Sequence, residues 1–479
     1  MIIFLIGGLL CVLNHFKFEI STNQEYYMSH AKWWADPSWI PNTFLLSDAA
    51  GTRIGFNVIL YPFWKFFSYE TLVMSTTFLN LFIVGGLIFL IANEIRKPSI
   101  IFMVLIHLTL FSGLGDKSFY GGEWIFGGAE PKTFAYIFGL AGIIFYMRKQ
   151  YFWTFLLVAL GAYFHVLIAG WILVMLLLDS LFQDGIKPTI KRGIIFGLGI
   201  LPLFLYLIST YFQKGSSSYA GLDKIYIAQV HNHLKPWLVP GKEYRFYLGL
   251  LYAFIAAAIS FYRMKKVDAK TAMIYRLSIY AFIVPAFLAT LAPWEWFTPF
   301  LKAYPFRLTM MQKLLFFVAI AMDASQKLET VKFRKQVTAG LVVILAISGV
   351  LRINKNLIKR WGNYQDKDLL KVAEVIGSKF SPGTKVFYLD AATKVPDDKL
   401  DPLGRMARAD VYFSNKIIPS EPEKMMEWYR RKQMTIAIQE DTSKISELQK
   451  DNIEVIVSKR DLPLKKIAEV SEYKIYNFQ

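Results

Sequence analysis

Of 479 residues, 54% are hydrophobic, 16% aromatic and 19% charged, and the mean hydropathy is +0.36, which excludes an ordinary water-soluble globule of this length. The formal net charge of +18 does not mark a nucleic-acid binder, because Lys and Arg are scattered between apolar runs rather than gathered on one stripe. The single cysteine, Cys11, excludes an internal disulfide and a cysteine-based metal site.

In chain order the apolar runs predict a polytopic α-helical membrane protein of about 11 spans. They lie near 2–16, 71–93, 99–114, 132–147, 151–165, 166–182, 194–212, 244–262, 275–293, 307–323 and 337–353. The first run lacks a basic flank and ends in His15, Phe16 and Lys17 rather than a small-residue cleavage site. It reads as a retained span, short enough to leave the completeness of the N-terminus open. The stretch 151–182 is too long for one ordinary span, and Tyr163, Phe164 and His165 at its centre suit a tight break.

The loops alternate in character. One set is short and basic: Arg96 and Lys97, Arg148 and Lys149, 187–192, 263–266 and 327–335. Short loops dense in Lys and Arg stay in the cytoplasm. The other set, 17–68, 115–131, 213–243 and 294–306, is longer and rich in aromatic, His, Asp and Glu residues. These external loops are where chemistry is expected, and Trp33, Trp34, Trp39, Trp124, Trp237, Trp294 and Trp296 fall in them as an interfacial belt. Residues 1–353 therefore form the membrane domain. Residues 354–479 form a soluble domain, placed on the periplasmic side of a bacterial inner membrane. It alternates helix-like 368–379 and 421–433 with strand-like 385–389, 453–457 and 473–478, which reads as α/β. It lacks a phosphate-cradling glycine motif.

Candidate site residues lie on the external side. Glu25, Asp36 and Asp48 follow the first span, where a carboxylate can take the proton of an acceptor hydroxyl; Asp36 before Pro37 is equally suited to starting a turn. Glu123, Glu130 and Lys132 border the run 132–147, with glycines at 121, 122, 127 and 128 that let backbone approach a ligand. Acidic residues there also suit a helix N-terminus. His165 lies inside an apolar run, where an ionisable group is costly. His231 and His233 can share an anion, but no third ligand is evident, so no metal site is assigned and a divalent cation stays an open alternative. Arg307 opens a span at the external boundary, where a guanidinium suits the phosphate of a lipid.

The order of these features resembles the GT-C superfamily of integral-membrane glycosyltransferases, in an uncharacterised bacterial branch. The resemblance rests on Glu25-Tyr26-Tyr27 with Asp36-Pro37, on Glu130-Pro131-Lys132-Thr133-Phe134-Ala135-Tyr136, on His231-Asn232-His233, and on Gly404-Arg405 and Glu427-Trp428-Tyr429-Arg430. It implies a polyprenyl-phosphate sugar donor and a first-loop carboxylate, Glu25 or Asp36, as base. Where that superfamily commonly carries two adjacent acidic residues, this chain has Gln24-Glu25. The expected partners are the lipid-linked donor, membrane lipids and an acceptor, with no nucleic acid. Two other readings are a lipid-linked substrate transporter or flippase and a non-catalytic subunit of a membrane assembly. Absence of an evident internal repeat weighs against the transporter.

The charge alternation makes a topological prediction. A periplasm-dependent phosphatase fused after Gln479 should be active and one fused near Lys265 inactive, and the reverse pattern would place every candidate residue on the wrong side.

Overall fold

In the computed structural model, residues 1–18, 20–47, 53–111, 117–120, 122–211, 243–291, 294, 298–301, 303–354, 367–389, 401–415, 417–419 and 421–478 are described. The chain divides into two compact units. One comprises Met1–Phe16, Ser75–Tyr206 and Asp223–Ile358; the other comprises Lys17–Met74, Leu207–Leu222 and Lys359–Gln479. The loop 17–68, assigned from sequence to the membrane domain, thus groups with the C-terminal residues.

The first unit is helical. Its elements are α1 (Ile2–His15) and α4 (Tyr69–Ile95, from residue 75 onward), followed by α5 (Ile100–Thr109), α6 (Pro131–Met147), α7 (Tyr151–Asp184) and α8 (Ile186–Tyr211). After these come α9 (Glu243–Met264), α10 (Ala269–Leu291), the short α11 (Thr298–Leu301), α12 (Thr309–Glu329) and α13 (Arg334–Ile353). Six helical segments among the described residues are long and apolar enough to cross a membrane: α4, α7, α8, α9, α10 and Pro305–Glu329, which contains α12. The apolar helices Ile2–His15, Ile100–Thr109, Pro131–Met147 and Thr338–Leu351 are shorter. The segment containing α12 is 83% buried in its most apolar window and α8 only 17%, so α12 is enclosed by its neighbours while most of the α8 surface is uncovered.

The expected division of 151–182 into two spans takes a particular form. Residues 151–184 are one continuous helical element, but His165 has φ −157° and ψ 94°, far from helical values. The packing on α6 reveals a reversal. A Cβ on Gly142 would lie 3.1 Å from Val158, one on Gly161 would lie 3.2 Å from Phe138, and Phe134 stacks on Phe164 at 5.0 Å. Residue numbers rise on α6 as they fall on this half of α7, so the two run antiparallel. Beyond His165, Gly139 meets Ile172 and the Tyr146 hydroxyl donates to Asp179 at 2.8 Å, a parallel sense. The chain therefore turns back on itself at His165.

α1 and α4 approach closely because each carries a pair of glycines. A Cβ on Gly7 would lie 2.6 Å from the Gly85 carbonyl oxygen, and one on Gly8 would lie 2.7 Å from the Phe82 carbonyl oxygen. Without water between them, helices in lipid gain from such close backbone packing.

In the second unit, α2 (Thr22–Ala35) and α3 (Ile54–Leu60) come from the first loop, and α14 (Lys367–Lys379), α15 (Asp401–Arg405) and α16 (Pro422–Glu440) from the C-terminal residues. A five-stranded sheet holds β1 (Lys385–Tyr388), β2 (Asp410–Val411), β3 (Val455–Ser458), β4 (Lys465–Val470) and β5 (Tyr473–Asn477) in the order β2-β1-β3-β5-β4. β1 pairs in parallel with β2 and β3, and β5 pairs antiparallel with β3 and β4. β3 is buried throughout, as a central strand with both neighbours in place should be.

Leu45 belongs to the buried cluster around Trp428, Val455 and Ile475, and Phe44 packs against it. The Phe44 amide donates to Asp410 at 3.0 Å, and Lys424 donates to the Ser47 carbonyl at 2.7 Å. Loop and sheet in this unit thus share one core.

Gly85→Leu, which inserts a side chain between α4 and α1, should lower stability by about 1–3 kcal/mol, as overpacked cores do. Gly170→Ala, where a Cβ would meet nothing within 4 Å, should be neutral or stabilising. Thermal unfolding in detergent compares the two, and equal midpoints would refute the close helix contact.

Candidate functional sites in each unit

In the helical unit the chain builds a cluster around the N-terminus of α6. Pro131 occupies its first position, where a missing N–H costs nothing, and Glu130 precedes it. Glu130 is the N-cap of α6 and makes no side-chain capping bond, although its charge stands at the positive end of the helix dipole. Its carboxylate instead lies 3.5 Å from Lys132, whose ammonium donates to Glu123 at 2.8 Å. All three residues are buried, Glu130 to within 1%. Lys132 Nζ also lies 3.1 Å from the centroid of the Trp124 ring, a desolvated cation–π contact.

The loop accommodates this with glycine. A Cβ on Gly127 would lie 2.8 Å from Trp124 Nε1 and 2.9 Å from the Glu130 carboxyl, so only glycine fits. Gly128 has φ 78°, and its carbonyl accepts from Asn80 Nδ2 at 2.8 Å. The glycines serve the packing of the loop on its own acidic and aromatic side chains.

Arg307 completes the group. It sits in a single 3₁₀ turn, Pro305–Leu308, whose preceding residue Tyr304 has φ 50° and ψ 60°. That left-handed residue, unusual for tyrosine, reverses the chain before α12. Tyr136 on α6 donates to the Arg307 carbonyl at 3.2 Å, and the guanidinium lies 4.4 Å from the Tyr304 ring centroid. Its Nε is 3.8 Å from Glu123, an ion pair looser than a hydrogen bond, and its Nη1 contacts His165 Nε2. The Ile168 amide lies 3.4 Å from Nδ1 of the same ring. A neutral imidazole accepts at one nitrogen only, so the amide and the charged guanidinium compete for it.

Five sequence candidates, Glu123, Glu130, Lys132, His165 and Arg307, therefore meet in one group. With the imidazole neutral, its two carboxylates balance its two cations, which is how ionisable groups become tolerable in an apolar bundle. Trp124 and Tyr304, which sequence reasoning gave no site role, supply aromatic faces to the cations. Asp48, His231 and His233 lie outside the described residues.

The second unit holds the other acidic candidates. Ser21 and Gln24 form a reciprocal capping box on α2, the Ser21 amide donating to Gln24 at 2.8 Å. Gln24 thus has a structural task at the position where an adjacent acidic residue was expected. Glu25 is 3% exposed and accepts from Arg405 Nε at 2.5 Å; Arg405 also pairs with Glu70 and lies 4.9 Å over the Tyr69 ring. The Tyr69 hydroxyl donates to the Glu25 carbonyl at 3.0 Å. Burial pushes the Glu25 carboxyl above its ordinary value, with Arg405 opposing. Asp36 is exposed, caps the C-terminal end of α2 and accepts from the Ser38 amide at 3.1 Å. Arg405 and Glu70 went unrecognised as partners of Glu25 because Arg405 lies 380 residues away; its only sequence signal was Gly404-Arg405 in the family resemblance.

No family model matches the chain, and no curated protein does. Over 99% of its length, and 97% of the other chain, it is similar to the crystal structure of ArnT from Cupriavidus metallidurans bound to undecaprenyl phosphate, with a TM-score of 0.36 and 11% identity. A likeness this loose assigns no residue a role.

Arg405→Met should destabilise by about 3–5 kcal/mol, because it strands a buried carboxylate. The pH dependence has a definite sign. A carboxyl raised in the folded state favours folding below its ordinary value of 4.5 and loses that advantage as pH rises through the raised value. The Arg405→Met defect should therefore be greatest at neutral pH and shrink toward pH 4.5, and Glu25→Gln combined with it should restore much of the neutral-pH loss. A pH-independent defect would mean that Glu25 is not the stranded group.

Proposed function

We propose that this chain is a membrane glycosyltransferase that moves a sugar from a polyprenyl-phosphate donor to an acceptor hydroxyl on the periplasmic face of a bacterial inner membrane. The observation that carries the reading is the closure of Glu123, Glu130, Lys132, His165 and Arg307 on one another beside the α7 reversal. A mixed cluster of that kind among apolar helices is expensive to maintain and suits a charged headgroup on a long apolar tail. The loose Glu123 contact leaves Arg307 able to exchange a carboxylate for a phosphate at little cost.

In this chemistry the acceptor hydroxyl attacks the anomeric carbon, the bond to the lipid phosphate breaks with inversion, and a first-loop carboxylate takes the hydroxyl proton. Arg307, His165 and Lys132 balance the charge that develops on the leaving phosphate; His231 and His233 are proposed to assist. Glu25 and Asp36 are both candidates for the base. Exposure favours Asp36, which solvent and an acceptor can reach, whereas Glu25 is held by Arg405. Asp48 is the third choice.

The broken α7 favours a second reading as a transporter of lipid-linked substrate, since broken helices with ionisable groups also occur in transporters. One assay separates the two. Purified protein in lipid nanodiscs, incubated with a panel of polyprenyl-phosphate sugars, should hydrolyse or transfer at least one, whereas a transporter would bind the lipid and leave the glycosyl bond intact. Asp36→Asn should reduce transfer by at least about 10² with unchanged melting temperature. Arg307→Lys should weaken donor binding by losing the planar fork. Unchanged lipid-phosphate binding in Arg307→Ala would remove this residue from the site.

A further inference from the structure

Between the segment 33–47 of the first loop and the sheet of the same compact unit lies an open cavity of about 590 Å³, within the size range of small-molecule sites. Trp33, Phe44, Lys385, Asp410 and Arg431 line it, and none of them has a role in the transfer chemistry above.

Its side chains are held in place by one another. Trp33 Nε1 donates to the Ile40 carbonyl at 3.2 Å, which fixes the indole. Arg431 has a side chain only 11% exposed. Its Nε donates to Glu427 at 2.8 Å, its Nη1 to the Tyr412 carbonyl at 3.1 Å, and its guanidinium carbon lies 3.9 Å from the Phe44 ring centroid. Hydrogen bonds from Arg430 and Arg431 draw the Glu427 carboxyl down to about 2, so that anchor stays ionised. Arg431 Nη2 makes no hydrogen bond among the described residues. Its remaining donor hydrogens border the open cavity, where the oxygens of water or of a ligand can accept from them.

Lys385 donates to the Asp451 carbonyl at 3.1 Å and has two further ammonium hydrogens. Asp410, 2% exposed, accepts from the Phe44 amide at 3.0 Å and from the Thr43 side chain, and keeps lone pairs beyond those two bonds. Burial pushes its carboxyl up, partly offset by that amide. The cavity thus offers aromatic surface, two cations with spare donors and one buried carboxyl.

We infer that this cavity binds a sugar ring bearing a carboxylate or a phosphate. The ring's apolar C–H face suits Trp33 and Phe44, its anionic group Arg431 and Lys385, and its hydroxyls Asp410. Pro37 also lines the cavity and directly follows Asp36. On the glycosyl-transfer reading, and only on it, the bound sugar is the acceptor, held beside the exposed carboxylate that takes its proton.

Binding is measured on the full chain in nanodiscs by calorimetry, with glucuronate, glucose 6-phosphate, glucose and inorganic phosphate as probes. At least one anionic sugar should bind about tenfold or more tightly than either glucose or inorganic phosphate, and the two anionic probes distinguish carboxylate from phosphate. Trp33→Ala and Lys385→Gln, which leave Arg431 and its packing intact, should each weaken that binding by about tenfold with near-native melting. Arg431→Lys should weaken it further.

Equal binding of glucose and both anionic sugars would overturn the inference. So would phosphate binding as well as the sugars, which would make the cavity a bare anion site, and so would wild-type binding in both Trp33→Ala and Lys385→Gln. The transfer assay is read separately. Transfer with no anionic-sugar binding defeats this inference and leaves the enzyme reading standing; binding without transfer does the opposite.

Discussion

The reversal of the chain at His165 is the constraint on which the helical unit depends. One residue in extended geometry turns a 34-residue apolar element into two antiparallel halves, and α6 packs against both. Had α7 continued straight, it would measure roughly 50 Å at the helical rise, far beyond the roughly 30 Å of hydrocarbon available to it. Turning back keeps the element within a bilayer's thickness. It also exposes backbone groups at the turn, and the place where these need partners is where polar side chains gather. Arg307 meets His165 there, and through Glu123 joins Lys132 and Glu130.

Charge pairing recurs elsewhere in this unit. Asp179, 1% exposed, pairs with Arg276 while accepting from Tyr146, and Asp323 pairs with Arg263 at 2.6 Å. Arg148 pairs with Glu94 at 2.5 Å. Each of these ties two helices that are distant in sequence. A lone charge in such surroundings would be expelled or neutralised, so pairs of this kind fix which helices neighbour each other. Glu94 also takes Lys270 at 3.7 Å and Asp323 takes Lys327 at 4.0 Å, so the group around Lys132 differs in joining two buried carboxylates, rather than one, to two cations.

Hydropathy alone located the apolar helices, since α1, α4, α5, α6, α8, α9, α10, α12 and α13 each overlap a run where a span was expected, α1 and α5 lying wholly inside theirs and the others running past one or both ends. In the C-terminal residues, strands β1, β3 and β5 were legible because buried strands read as short apolar runs. β4 was not: its Lys465, Lys466 and Glu469 make an edge strand look like a solvated loop. β2, at two residues, is too short to carry a pattern. The ionisable residues of the Lys132 group were each readable one at a time from their unusual apolar settings. Their partners were not, because pairings such as Glu25 with Arg405 depend on contacts across most of the chain, and a single sequence shows no such distance. Gln24 could have been read as a capping residue from Ser21 three positions earlier, but α2 itself was hidden in a stretch of low apolar periodicity.

The shared core of Leu45 with the C-terminal sheet has a consequence for biosynthesis. Phe44 and Asp410, joined by a hydrogen bond, are 366 residues apart. At synthesis rates of about 5–20 residues per second, the first-loop segment waits on the order of 20–70 s between its own emergence and that of its partner strand. During that interval Phe44 and Leu45 have no sheet to cover them, and the helices in between must already have been threaded into the bilayer. Closure of this unit is therefore among the last events in the maturation of the chain, and a ribosome that stalls or terminates early leaves an apolar loop uncovered rather than a smaller folded protein.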